Sequence, residues 1–229
     1  LSSSSAASDV YKRQVNTGGG DVLVESGELT LDANIVSGEG SQIYNAAVVL
    51  ASDVNLTTST GVSGDLQVVF QGTVDSDDSA TPRTLNVHSE AIFFYDDVGS
   101  QSPLNDFVGY TVNDAAERGQ FYSSVTTDGL QSYKAGSSSG DIEFNGTYTA
   151  GGGIELLGEG TFGVVLSLAG DTNIDVGTGA FSVQKGSSNS YPGGNIVSQG
   201  KSESYDLTIT AGNITCLLYT SPSPRDVEE

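Results

Sequence analysis

Apolar and polar positions alternate along this chain in short bursts. "DVLVESGELTLDANI" places Val22 and Val24, then Leu29 and Leu31, at every second position, the period of a half-buried strand. "AVVLASDVNLTT", "LQVVFQGTV", "TLNVHSEAIFFY", "GDIEFNGTYT", "FGVVLSL", "TNIDV", "GAFSVQ" and "YDLTIT" continue the pattern. Each burst is rich in β-branched or aromatic residues and bounded by Gly, Asn, Asp or Ser, so each predicts a strand closed by a turn. No segment sustains a helical period; "AAERG", Ala115 to Gly119, makes one helical turn at most. The 30 glycines and 5 prolines suit many tight turns. The expected class is all-β.

Internal echoes point to the architecture. "VVLASDVNLTTSTG", Val48 to Gly61, aligns without gaps onto "LSLAGDTNIDVGTG", Leu166 to Gly179, matching Asp53 with Asp171 and Asn55 with Asn173. "GDLQVVFQGTV" at Gly64 returns shortened as "GDIEFNGTY" at Gly140, "SQIYNAA" at Ser41 as "LQSYKAG" at Leu130, and "GELTLDANI" at Gly27 as "YDLTITAGNI" at Tyr205. Spacing between copies varies. A solenoid tolerates this because each turn touches only its neighbours, whereas the closure of a barrel is fixed by strand number and register. A solenoid of about nine coils, at roughly 20–25 residues each, is expected. Val22, Leu50, Leu66, Ile92, Ile142, Leu168 and Ile209 should face inward, and Asn34, Asn55, Asn173 and Asn213 should sit at turns and ladder their amides between coils.

The ends differ from the body. Asp9 to Gln14, "DVYKRQ", back-translates to GAT GTG TAT AAG AGA CAG, whose reverse complement, shifted by one base, encodes Cys-Leu-Leu-Tyr-Thr and opens a serine codon. That is Cys216 to Ser221. One DNA element in opposite orientations thus accounts for both ends, and it resembles the transposase adaptor of tagmentation sequencing libraries. Residues 1–14 and 216–229 are therefore read as adaptor-derived segments, excluded from fold reasoning, and residues 15–215 as the β-helix repeat segment.

Charge changes the picture next. The chain carries 29 acidic and 8 basic residues, a formal net charge of −21. Setting aside Lys12, Arg13 and Arg225 with Asp9, Asp226, Glu228 and Glu229 leaves 25 acidic and 5 basic residues. Such a surface repels nucleic acid and anionic membrane, so neither is an expected partner. No apolar run is long enough to cross a bilayer as a helix. The single Cys, Cys216, falls in the end segment, so the body needs no particular redox compartment.

The order "GSQIYNAAVVLASDVNLTTS", "GDLQVVFQGTVD", "RTLNVHSEAIFFYDDVGSQSPLNDF", "SVTTDGLQSY" resembles the β-strand repeats of filamentous-haemagglutinin-like large exoproteins, over roughly Gly19 to Thr215. The resemblance implies a right-handed parallel β-helix in a Gram-negative surface adhesin, exported by two-partner secretion or as an autotransporter passenger. It also implies an extracellular location, with a host or neighbouring-cell receptor or glycan as partner besides the adjoining coils. The second copy lacks part of the first, and Asp96 and Asp97 follow an unusually aromatic strand; both depart from the family pattern.

Literal catalytic motifs fail on context. "GEGTFG", Gly158 to Gly163, needs a following helix to bind a dinucleotide, and a strand is predicted there. "GSSSG", Gly136 to Gly140, follows the only histidine, His88, opposite to the hydrolase order. "SVQK", Ser182 to Lys185, has no companion motif. No catalytic residue and no cofactor is expected. Asp75, Asp77, Asp78, Asp96 and Asp97 are weak calcium candidates; they lack the spacing of calcium-roll or EF-hand ligands, and solvated acidic turns are their expected role. A β-helical polysaccharide lyase or hydrolase is the alternative. It would draw on Arg83, Arg118, Lys134, Lys185 or Lys201, or on paired carboxylates from neighbouring coils. A binding module using calcium or a stripe of Tyr44, Tyr95, Tyr110, Tyr122, Tyr133 and Tyr148 is a further alternative, although tyrosines more often pack. His88 alternates with Val87 and is expected to face outward. The sequons at Asn55, Asn145 and Asn213 are expected to be incidental. The expected function is a structural and adhesive stalk.

Overall fold

The alternating bursts form strands throughout, and their pairing partners are distant in sequence. The computed structural model describes residues 9–11, 15–25, 27–58, 66–111, 119–121, 123–136, 141–158, 164–184, 194–198 and 205–216. Among them there is no helix, and every strand pairing is parallel. The protein is therefore all-β and built from parallel sheets.

Three sheet faces take the strands in rotation. The first runs from Val22–Val24 through Gln42–Tyr44, Gln67–Phe70, Ala91–Phe94 and Gly119–Phe121 to Asn195–Ser198. The second contains Asp9–Tyr11, Glu28–Leu31, Ala47–Leu50 and Val74–Ser76. It continues through single bridges at Val98 to Val125–Thr127, and ends at Leu207–Thr210. Two long strands, Asp141–Ala150 and Val165–Asp175, serve both faces, with the register shifting between Phe144 and Gly146. The third holds nine strands: Val15–Asn16, Ile35–Val36, Val54–Thr57, Leu85–Ser89, Phe107–Thr111, Leu130–Ala135, Gly153–Gly158, Ala180–Val183 and Asn213–Cys216. Each pass through the three faces makes one circuit. Val22 pairs with Gln42, twenty residues on, whereas Ile174 pairs with Ile209, thirty-five on. The repeat therefore exceeds the expected 20–25 residues wherever a corner carries a longer loop.

Alternation decides what lies between the sheets. Leu85–Ser89 is buried at every second residue, as a strand with one face to the core must be. Leu50, Leu66, Ile92, Ile142 and Leu168 are buried as expected, and Val22 and Ile209 are half-buried against the same core. Like stacks on like. Leu29, Val48, Val74, Val98, Val125, Tyr148 and Ile174 form one inward column. Tyr44, Phe70 and Phe94 form another, with ring centroids 5.0 and 4.7 Å apart and nearly parallel planes. Phe107, Tyr133, Phe144 and Tyr148 extend the aromatic contact through the core. Each fully buried side chain of this size contributes roughly 1.5–3 kcal/mol.

The echoes in the sequence divide into two kinds. Phe70 and Phe144 share one inward column, and Val74 and Tyr148 another, so the Gly64 and Gly140 copies occupy the same faces. The Gly27 and Tyr205 copies also share faces. The gapless pair does not. Val48–Leu50 lies in the second face, while its aligned partner Leu166–Leu168 lies in the first and pairs with Ile142–Phe144. Ser41 and Leu130 likewise lead into different faces. The correction has a physical reason: strand–corner–strand is a local unit, and the same corner chemistry works at any of the three corners.

Close stacking of corners explains two glycines. Thr17 and Ser37 each donate from Oγ to the carbonyl three residues on, at 2.5 Å, folding two superposed turns. Gly38 has φ +58°, and a Cβ there would strike the Gly18 carbonyl; one on Gly40 would strike the Gly20 backbone. Only glycine allows that approach.

Candidate functional site

The acidic residues are largely structural acceptors. In a parallel stack, an N–H near the start of a strand reaches toward the preceding circuit, and a carboxylate or amide beside it there can receive it. Asp21 accepts from the Ser41 N–H at 2.8 Å, Asp53 from Thr84 at 2.9 Å, Asp106 from Leu130 at 2.6 Å and Asp171 from Asp206 at 3.0 Å. Asn34 does the same for Asn55 at 2.8 Å. Sequence reasoning missed this role. Its signal was present as an Asp or Asn directly preceding the strand residue in Asp21-Val22, Asn34-Ile35, Asp53-Val54 and Asp106-Phe107. The Asp53 and Asp171 of the gapless echo share this bond although they occupy different corners.

The five calcium candidates are engaged in the same manner or locally. Asp75 is 7% exposed and accepts from the N–H groups of Gln101 and Ser102 at 2.8 and 3.2 Å. Asp97 accepts from Ser123 Oγ at 2.5 Å and the Ser124 N–H at 3.3 Å. Asp96 accepts from the Asp97 N–H at 2.8 Å. Asp78 closes its own turn, accepting from the Ala80 N–H and the Thr81 hydroxyl at 2.8 Å, and these bonds hold its carboxyl below the usual carboxylate range. Asp77 binds Arg83, with Nε–Oδ1 at 2.7 Å and Nη2–Oδ2 at 3.3 Å. Among the described residues no three His, Cys, Asp or Glu groups converge as a metal site.

Arg83 is nonetheless where charge concentrates. Its hydrogen bond to Asp77, then the fields of Asp77, Asp78 and Asp53, raise its pKa. Asp53 belongs to the preceding circuit, so carboxylates from two circuits act on one cation, although Asp77 alone is bonded to it. Each is already committed, to Thr84, to Arg83 or to the turn at Ala80. The Asp77–Arg83 pair is partly exposed and screened by water, so it adds little to stability. Lys134 faces outward, with Nζ 4.3 Å from the centroid of Tyr110, and His88 stacks on the other neighbour side of that ring at 4.7 Å and 15°. His88, Tyr110 and Lys134 are register partners in successive strands of the third face. The expected outward orientation of His88 agrees. Arg118, Lys185 and Lys201 lie outside the described residues.

The tyrosines split. Tyr44, Tyr133 and Tyr148 are buried, Tyr95 and Tyr110 face outward, and Tyr122 lies outside the described residues. Tyr44 donates to Gln42 Oε1 and Tyr133 to Gln131 Oε1, both at 2.9 Å. The Ser41 and Leu130 echo therefore encodes one buried Gln-x-Tyr cassette in two different faces. Burial pushes the hydroxyl pKa of Tyr133 and Tyr148 up. The amide ladder runs Asn34, Asn55, Asn86, with Nδ2–Oδ1 distances of 3.0 Å. Asn55, Asn173 and Asn213 depart from the expected turns, since all three lie in strands; Asn173 and Asn213 stand opposite Thr147 and Thr208 or Ala180, none of which carries an amide to ladder.

Of the rejected motifs, Gly158, Gly136 and Ser182 to Gln184 are described. Gly158 closes the strand Gly153–Gly158 and donates its N–H to Gln184 Oε1 at 3.2 Å. Residues 159–163, 137–140 and 185 lie outside the described residues, as do 115–118 of the single-turn segment. No family model, curated protein or solved structure matches this chain.

One surface was reached by sequence reasoning only through Tyr95, without its neighbours. On the outer side of the first face, Leu23, Ile43, Val69 and Phe93 are register partners through four successive strands; Leu23 is exposed, Ile43 and Phe93 are half-buried and Val69 is buried. Beside them runs a second outward column, Asn45, Gln71 and Tyr95, whose N–H groups bond to the carbonyls of Val24, Tyr44 and Phe70. The clue was the unbroken run Ile92-Phe93-Phe94-Tyr95, where strict alternation would require a polar residue at position 93.

Proposed function

We propose that this chain is a segment of a right-handed parallel β-helix serving as a structural and adhesive stalk in a filamentous-haemagglutinin-like surface exoprotein. The observation that carries the proposal is the rotation of parallel strands through three faces with matched inward columns. Such stacking extends by adding circuits and needs no catalytic group. The acidic side chains support the same reading. They bind successive circuits together while keeping the surface charged, which favours solubility of a long projection. Residues 1–14 and 216–229 are proposed to be adaptor-encoded. The secreted location and cell-surface partner follow from the resemblance.

The test has two readouts. Solution scattering should give an elongated particle of constant cross-section, and beads coated with the chain should adhere to cells more than uncoated beads do. A compact spherical particle, or beads that never adhere, would sink the proposal. The Asp77–Arg83 pair within the fields of Asp53 and Asp78 favours a second reading, a β-helical polysaccharide-cleaving enzyme. Turnover of polygalacturonate, abolished by Arg83→Ala, would establish it.

A further inference from the structure

The outer side of the first face is unlike the rest of the acidic surface. Leu23 is 52% exposed and Tyr95 50%. Phe93 and Tyr95 lie two residues apart on the same side of one strand, with ring centroids 6.2 Å apart and planes within 10°. Asn45 and Gln71, both exposed, occupy the positions of Tyr95 in the two preceding circuits. The two columns therefore pair an apolar stripe with a row of neutral amides ending in an aromatic platform. Among the described residues, exposed acids flank these columns: Glu25 at the far end of the row, Asp21 two residues before Leu23, and Asp96 directly after Tyr95.

We propose that this surface binds a neutral, linear oligosaccharide lying along the direction in which the strands stack. Sugar rings present apolar C–H faces that stack on aromatic planes, and hydroxyls that pair with side-chain amides. Rungs recur at about 4.8 Å, close to the length of one pyranose unit, so successive sugars meet successive rungs. One ring rests on Phe93 and Tyr95, and the next two reach Gln71 and Asn45. The acids that flank this surface, in a chain of net charge −21, favour a neutral glycan: an acidic one would meet repulsion, and no described residue of the platform is a cation that could offset it. This inference deepens the adhesive reading above and rests on it, since it names what the stalk would hold.

The chain contains no Trp, so tyrosine emission and calorimetry can follow titration with cellohexaose, chitohexaose and hexagalacturonate. At least one neutral hexasaccharide should bind and hexagalacturonate should not. Tyr95→Ala and Phe93→Ala should each weaken binding about tenfold, the upper range for one aromatic contact. Tyr110→Ala, on the third face, should leave affinity unchanged. Tyr95 is exposed enough that its replacement leaves the unfolding midpoint in place. Failure of both neutral sugars to bind overturns the site, as does binding untouched by Tyr95→Ala or stronger binding of hexagalacturonate. A concentration-dependent dimer broken by Tyr95→Ala would overturn it too, by assigning the surface to a second copy. If scattering shows an elongated particle while both neutral sugars fail, the glycan site falls and the stalk survives. A spherical particle with Tyr95-dependent sugar binding reverses that outcome.

Discussion

Replacing Gln131 with Leu probes the least obvious part of the core. Gln131 is 0% exposed, and its Nε2 donates to the carbonyls of Val125 at 3.0 Å and Thr149 at 2.8 Å. Those two carbonyls belong to successive strands of the second face, where Val125 pairs with Tyr148. The amide thus ties one circuit to the next at a corner, while its Oε1 accepts from the Tyr133 hydroxyl. Leucine has nearly the same volume, so the substitution removes hydrogen bonds without opening a large cavity. Two lost bonds at about 1 kcal/mol each, with about 2 kcal/mol for a buried hydroxyl deprived of its acceptor, give about 4 kcal/mol. For a chain of this length that lowers the thermal midpoint by about 8–16 °C. Tyr133→Phe alone should cost about 1–2 kcal/mol. The double variant should be less destabilised than the two costs combined by about 1 kcal/mol or more, because its apolar pair leaves no hydroxyl to satisfy. Urea denaturation followed by far-ultraviolet circular dichroism measures all four proteins. A Gln131→Leu midpoint within error of wild type, or strict additivity, would refute the cassette.

Three further outcomes follow from the same contacts. Tyr133 and Tyr148 have raised pKa values, chiefly through burial, so the fold favours their neutral forms. Their stabilisation is complete below the unfolded value near 10 and declines as pH rises beyond it; a Tyr133→Phe/Tyr148→Phe variant should show a flatter alkaline stability profile. Gly38→Ala combines a positive φ with a backbone clash and should lose about 1–3 kcal/mol in urea denaturation. Asp97→Ala removes both bonds to the next circuit and should cost about 1–3 kcal/mol. Asp96→Ala, with its single bond to the adjacent N–H, should stay within about 0.5 kcal/mol; equal costs would reject the inter-circuit role of Asp97.

Much of the fold was legible because strand alternation is a local property. The burial of Leu50, Ile92 and Ile142 follows from period two alone, and the Asn34–Asn55 ladder from amides recurring before or within strands. Register between circuits was not legible. The bonds that set it join residues 20 to 35 apart, and the corners they span vary in length. Local similarity therefore matched Asn55 with Asn173, although the residue beside Asn55 is Asn86. The acids were read as solvated turns for a related reason: composition records their charge, while the N–H each one receives comes from a strand a whole circuit away. Phe93 and Tyr95 were hidden within an apolar run, where pattern alone cannot separate an inward ring from an outward one.

Engineered disulfides test the circuit assignment most directly. In a Cys216→Ser background, Asn55→Cys/Asn86→Cys places thiols on register partners about 4.8 Å apart along the sheet, within the span a disulfide bridges. Under mild oxidation this pair should close quantitatively, giving a faster-migrating band on non-reducing electrophoresis. Asn55→Cys/Asn173→Cys should remain two free thiols. Closure of the second pair in preference to the first would contradict the stacking described above.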